Sequence, residues 1–267
     1  MEYFLNLGYG IMIPDLLGSG NTSKPLDVNV YIGKSIANDI VAILDHEGVI
    51  GDVAAIAHDW GTYLLSQLTF YHDARFCKYV FLSVPHTMPG RFTDLEKFNK
   101  MTMAEDGYEK FGYQLFLGDT SRAGRILGKN WEAFHNMIYP ADPGVWKTHM
   151  APTGALENYL TIYSAEESKR FGADWVTEED GRRHHEAFGD NYEATVKWYE
   201  RGNASLGVRE EIEMLKNGKI KNGGRIGKET LMVCGLRDAV CGAERARGVM
   251  GRVVEKGLLK VSSNRDG

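Results

Sequence analysis

The first third of the chain alternates two hydrophobic patterns. Residues 9–15, YGIMIPD, and 52–59, DVAAIAHD, are short apolar runs bounded by Gly, Pro or Asp, the signature of buried strands. Between them, KSIANDIVAILDHEGV places Ile36, Ile40, Ile43 and Leu44 on one helical face, and Gly48 ends the helix. A second helical pattern follows, with Leu64, Leu65, Leu68 and Tyr71 on one face, and KYVFLSVPH (78–86) restores the strand pattern. Strands alternating with helices of this length predict an α/β fold with a mostly parallel sheet covered on both faces. From about Pro89 to Gly224 the texture changes to charged, aromatic-rich segments of helical period without a clear strand, and ETLMVCG (229–235) and LLKVSS (258–263) then resume the sheet. The expected organisation is core over 1–89, a helical insertion over 90–224, and core again over 225–267.

Composition narrows the partners. With 267 residues, 43% hydrophobic content and a formal charge of −5, the chain has enough apolar material for one sizeable core and no basic surface for nucleic acid or anionic membranes. A small molecule is the expected partner. The three cysteines Cys77, Cys234 and Cys241 match neither a disulfide framework nor a metal-ligand spacing, which suits a reducing, cytoplasmic setting. No signal peptide or membrane-spanning run is evident. GSGNTSK (18–24) has a phosphate-loop flavour but lacks the Gly-x4-Gly-Lys-Ser/Thr spacing, so it reads as a surface loop of turn formers.

The chemistry concentrates at Asp59, which sits in the tight junction between a core strand and a core helix. A helix cap accounts for an Asp there. The small residues Ala57 and Gly61 around His58-Asp59-Trp60 add a second meaning, since small-x-Asp-x-small is the spacing of a nucleophile elbow, whose strained turn lifts one side chain above the sheet. A carboxylate at such a turn can attack an electrophilic sp³ carbon and form an ester. The Trp60 backbone N–H then points at the carboxylate oxygen that becomes an oxyanion when the ester is hydrolysed, and its indole can line the pocket.

Taken in order, YGIMIPDLLGSGNTSKP, AIAHDWG and FLSVPH followed by a helical insertion resemble α/β-hydrolase-fold enzymes of the epoxide hydrolase branch. The HDWG signature also fits haloalkane and fluoroacetate-type dehalogenases. Within the insertion, GYQLFLGDTSRAGRIL and VKWYERGNAS resemble the segments that carry the family's two cap tyrosines, which fall on Tyr113 and Tyr199. Two phenols have a clear use with an epoxide, whose oxygen stays on the substrate and gains charge as the ring opens, whereas a departing halide does not need them. The resemblance also places the acid that orients the catalytic histidine at Asp238, in ETLMVCGLRDAV. It implies hydrolysis of a small hydrophobic epoxide by water to a vicinal diol, through an ester on Asp59, with no metal or organic cofactor. Alternatives are a haloalkane or haloacid dehalogenase and a non-catalytic ligand-binding member of the fold; a serine esterase is disfavoured because position 59 is not Ser. His58 and His86 read as structural histidines, and His184 and His185, in GRRHHEAF, as a solvated helix face.

The chain departs from this family in two places. The oxyanion loop His-Gly-x-Pro is expected upstream of YGIMIPD and the base, in Gly-His-Trp, about 30 residues after Asp238, where Gly267 takes the place of the Gly. The expectation is a fragment of a longer hydrolase, lacking the strand that would lie between YGIMIPD and VAAIA.

Overall fold

The computed structural model describes residues 2–264; Gly267 lies outside them. A single parallel sheet is built from β1 (Val53–His58), β2 (Phe76–Leu82), β3 (Thr230–Gly235) and β4 (Leu259–Asn264), in that spatial order. His58 lies opposite Leu82, Leu82 opposite Val233, and Val233 opposite Ser262, so β1, β2 and β3 finish almost level. Everything emitted by their carboxyl ends therefore meets along one edge, the customary place for ligands in an open α/β sheet.

The helices are α1 (Glu2–Asn6), α2 (Gly33–His46) and α3 (Trp60–Tyr71) before β2. Between β2 and β3 come α4 (Leu95–Asp106), α5 (Tyr113–Gly118), α6 (Thr120–Lys129), α7 (Trp131–Ile138) and α8 (Trp146–His149), then α9 (Ala155–Ile162), α10 (Ala165–Ser168), α11 (Glu178–Phe188), α12 (Glu193–Asn203) and α13 (Val208–Lys216). Finally, α14 (Ala243–Val253) joins β3 to β4. None of these helices is long and apolar enough to cross a membrane.

The anticipated strand at Gly10–Pro14 does not form. Residues 9–16 have no regular structure, and Tyr9 and Ile13 are 62% and 64% exposed. A strand exists only by exchanging hydrogen bonds with a neighbour, and among the described residues none runs beside this segment. β1 is accordingly an edge strand, with Ile56 52% exposed on it. The α2 stripe is buried at Ile36, Ala37 and Leu44, while Ile43 is left exposed.

Two apolar cores result. One joins α2, α3 and α14 to the sheet through Tyr31, Leu65, Phe81, Met232 and Met250; the other lies among the helices after β2, around Leu117, Leu127, Met137, Leu156 and Tyr159. Helix α12 touches both. Trp198 packs its ring 6.1 Å from Tyr31 and donates its indole N–H to the Leu17 carbonyl at 2.9 Å. The GSGNTSK loop is consumed by this docking, since Thr195 donates to the Gly18 carbonyl (2.8 Å) and the Gly20 N–H to the Ala187 carbonyl (2.8 Å). Gly18 has φ +91° and a side chain there would strike Ala194 and Tyr31, which explains the glycine.

Candidate active site

Asp59 is held at φ 52°, ψ −125°, a backbone region that a non-glycine residue adopts only when its surroundings enforce it. Here β1 and α3 are both fixed by packing, and the elbow between them has no spare residue to relax into. Gly61 satisfies the small-residue requirement: a Cβ there would stand 3.6 Å from the Ala57 methyl, ordinary contact that a bulkier group would exceed. The Asp59 carboxylate caps α3 by accepting from the Trp60 N–H at 2.6 Å. It also opens onto a cavity of about 690 Å³ between the sheet edge and the helices after β2. The capping role and the projecting role are filled by the same atoms.

Both tyrosines singled out in the sequence line this cavity. Tyr113 opens α5, its N–H donating to the Ala151 carbonyl at 3.1 Å, and its ring centroid lies 6.0 Å from that of Tyr199 on α12. The two helices are tied together where Asn203 of α12 donates to the Gln114 carbonyl at 2.7 Å. Gly112, just before Tyr113, runs so close to the 152–153 backbone that a Cβ would lie 2.1 Å from the Thr153 nitrogen. Tyr199 stands edge-on to Trp60, with centroids 5.1 Å apart, so the elbow tryptophan braces the second phenol.

Asp59 is exposed to solvent, whereas Tyr113 is buried and Tyr199 half-buried. The protein packed around the cavity nevertheless pushes the Asp59 carboxyl above its usual range, and the nearby Asp238 charge adds to this; the Trp60 N–H and His58 oppose it. Burial, followed by the neighbouring phenol and the Asp59 charge, raises Tyr113 well above an ordinary phenol, and burial and Asp59 do the same to Tyr199. Both phenols therefore keep their protons as potential donors.

Asp238 lies in the loop after β3, lining the same cavity. Its Oδ1 accepts from the Val240 and Cys241 N–H groups at 2.8 and 2.7 Å. His86 is a structural histidine, buried, with Nε2 3.0 Å from the Gly224 carbonyl, and desolvation lowers its pKa to about 4.

His184 is not solvated. It is 8% exposed, lies 2.9 Å from the Tyr192 hydroxyl and reaches the cavity wall, while His185 stacks on Trp131 at 4.5 Å. The charged Arg182 and Arg183 do face water, but His184 and Phe188, four residues apart, form the inward stripe of α11. That i, i+4 pairing was the available signal. The cavity wall made by Phe134, Trp146 and Tyr192, and its polar end at Arg201 and Glu211, gave no comparable one.

Comparison with known proteins agrees with this fold. Residues 1–132 match the family model of the alpha/beta hydrolase fold. Over 108 residues the chain is 27% identical to an epoxide hydrolase of Caballeronia sordidicola, an alignment covering 40% of this chain and 32% of that protein. An epoxide hydrolase of Neurospora crassa is 28% identical over 119 residues, 43% of this chain and 32% of that one. The chain thus matches about a third of the length of these curated relatives. Among solved structures, epoxide hydrolase A of Mycobacterium thermoresistibile superposes with a TM-score of 0.65 at 20% identity, over 94% of this chain and 73% of that one. An epoxide hydrolase of Vigna radiata gives a TM-score of 0.66 at 22% identity, with the same coverage. At these identities the superpositions establish the fold.

Proposed function

We propose that this chain, an α/β-hydrolase-fold relative of epoxide hydrolases, opens an epoxide by attack of the Asp59 carboxylate on a ring carbon. One Asp59 oxygen forms a C–O bond as the ring C–O bond breaks, and the freed oxygen takes a proton from Tyr113 or Tyr199. The product of this step is a hydroxyalkyl ester on Asp59. In the second step water adds to the ester carbonyl while a general base takes its proton, the Trp60 N–H steadies the oxyanion, and the diol departs with Asp59 regenerated. Asp238 serves this step by orienting the base. The residues placed on this cavity account for the alkylation half.

The observation that carries this reading is the placement of two phenols, Tyr113 buried and Tyr199 half-buried, with ring centroids 6.0 Å apart, on the same cavity as the strained Asp59 carboxylate. It favours an epoxide over a halide, because only the epoxide keeps an oxygen that both donors can serve. The discriminating experiment compares an aryl-substituted epoxide with the matching arylalkyl halide, whose halogen sits on an sp³ carbon. Tyr113→Phe and Tyr199→Phe should slow alkylation by the epoxide and leave the halide reaction unchanged; halide release indifferent to both substitutions, with no reaction of the epoxide, would assign a dehalogenase instead.

A further inference from the structure

The cavity does not end at the elbow. Helix α3 presents Trp60, Tyr63 and Gln67 on one face, the last two about 6 and 12 Å along the axis from Asp59. All three line the cavity, as do Arg201 from α12 and Glu211 from α13. This far end is polar but almost sealed, with Tyr63, Gln67, Arg201 and Glu211 exposed by only 7%, 1%, 5% and 4%.

Hydrogen-bond accounting leaves a deficit there. Arg201 Nε, the Tyr63 hydroxyl and Gln67 Oε1 are buried without a partner. The Arg201 guanidinium sits 3.7 Å over the Tyr63 ring, and Nη2 has one long bond, 3.5 Å to the Leu206 carbonyl. Arg201 makes no ion pair among the described residues. Glu211 is a neighbouring counter-charge, but no contact of 4 Å or less joins it to Arg201, and its carboxylate accepts from the Gly90 N–H at 2.7 Å. A guanidinium keeps its charge at any physiological pH, and burying it unpaired is costly. Arg201 Nε and the Tyr63 hydroxyl are thus two donors without an assigned acceptor at this end, with the Gln67 amide beside them.

We propose that Arg201, with Tyr63 and Gln67, is an anion subsite that receives a carboxylate borne by the ligand in this cavity. Trp60 and Trp198, with centroids 6.0 Å apart, then line the stretch occupied by the ligand's apolar middle. Resting on the function proposed above, the substrate is an epoxide with an acidic group one to two helical turns from its ring. Subsite and chemistry can be tested separately. Titration calorimetry on the full chain should show 4-phenylbutyrate binding about tenfold or more tightly than 4-phenylbutan-1-ol. Arg201→Gln should abolish that preference and Arg201→Lys restore part of it, while Tyr63→Phe, which keeps the charge, should reduce it. Equal affinity for acid and alcohol, or a preference untouched by Arg201→Gln in a protein with unchanged circular dichroism, overturns the subsite. Arg201-dependent acid binding without any reaction at Asp59 would overturn the hydrolase reading alone.

Discussion

The turn after β1 and the loop after β3 each deliver a carboxylate to the same sheet edge, yet the two acids are treated oppositely. Asp59 is strained, accepts a single backbone N–H and is raised in pKa by the protein packed around the cavity. Asp238 is satisfied by two N–H groups of its own loop. A carboxylate that accepts one hydrogen bond keeps more of its lone pairs free to attack than one held by two neighbouring amides. On the function proposed above, backbone geometry, with no difference in residue type, divides the roles.

The largest expected effect breaks this contrast directly. Asp59→Asn should reduce ester formation with an aryl epoxide by about a thousandfold or more, since the nucleophile itself is gone, while Asp238→Asn should leave the rate of ester formation within a few-fold. Single-turnover mass spectrometry measures both. Next in size, Tyr113→Phe and Tyr199→Phe should each slow ester formation about 100-fold, the lower end of what one positioned proton donor contributes, because the other phenol remains.

Stability should rank the two acids in the opposite order. Asp59→Asn keeps a good helix cap and a residue tolerant of positive φ, so it should change stability by less than about 0.5 kcal/mol in denaturant unfolding. Asp238→Ala should instead cost about 1–2 kcal/mol, by leaving the Val240 and Cys241 N–H groups unpartnered. If both substitutions destabilise equally, the contrast fails.

A pH profile sharpens it further. Because the folded Asp59 pKa is raised above 3.8, its contribution to stability is present below that value and is lost as pH rises through the folded pKa. Ester formation should rise over that same window as the attacking anion forms. It should not fall again near pH 10, where ordinary phenols ionise, because burial keeps Tyr113 protonated well beyond 10.0. Loss of rate in the usual phenol range would show that the donors are solvated.

Most of the site was legible because its parts are local. The Ala57-x-Asp59-x-Gly61 elbow depends on adjacent residues, and the four strands that form were visible as apolar runs. Tyr113 and Tyr199 were legible through family-like surroundings, and the structure brings them to one cavity. The failures are non-local. Gly10–Pro14 has the composition of a strand, but composition cannot supply a neighbouring ladder. His184 was masked by the arginines beside it, and the Arg201 cluster arises only where α3, α12 and α13 converge, a juxtaposition that no spacing along the chain encodes.

The central claim is that Asp59 becomes covalently modified. Incubation of the folded chain with an aryl epoxide, followed by intact-mass measurement and peptide mapping, should show a single adduct of the epoxide's mass on the peptide containing Asp59, absent from Asp59→Asn. A demonstrably folded protein that remains unmodified, or an adduct that persists in Asp59→Asn, would contradict it.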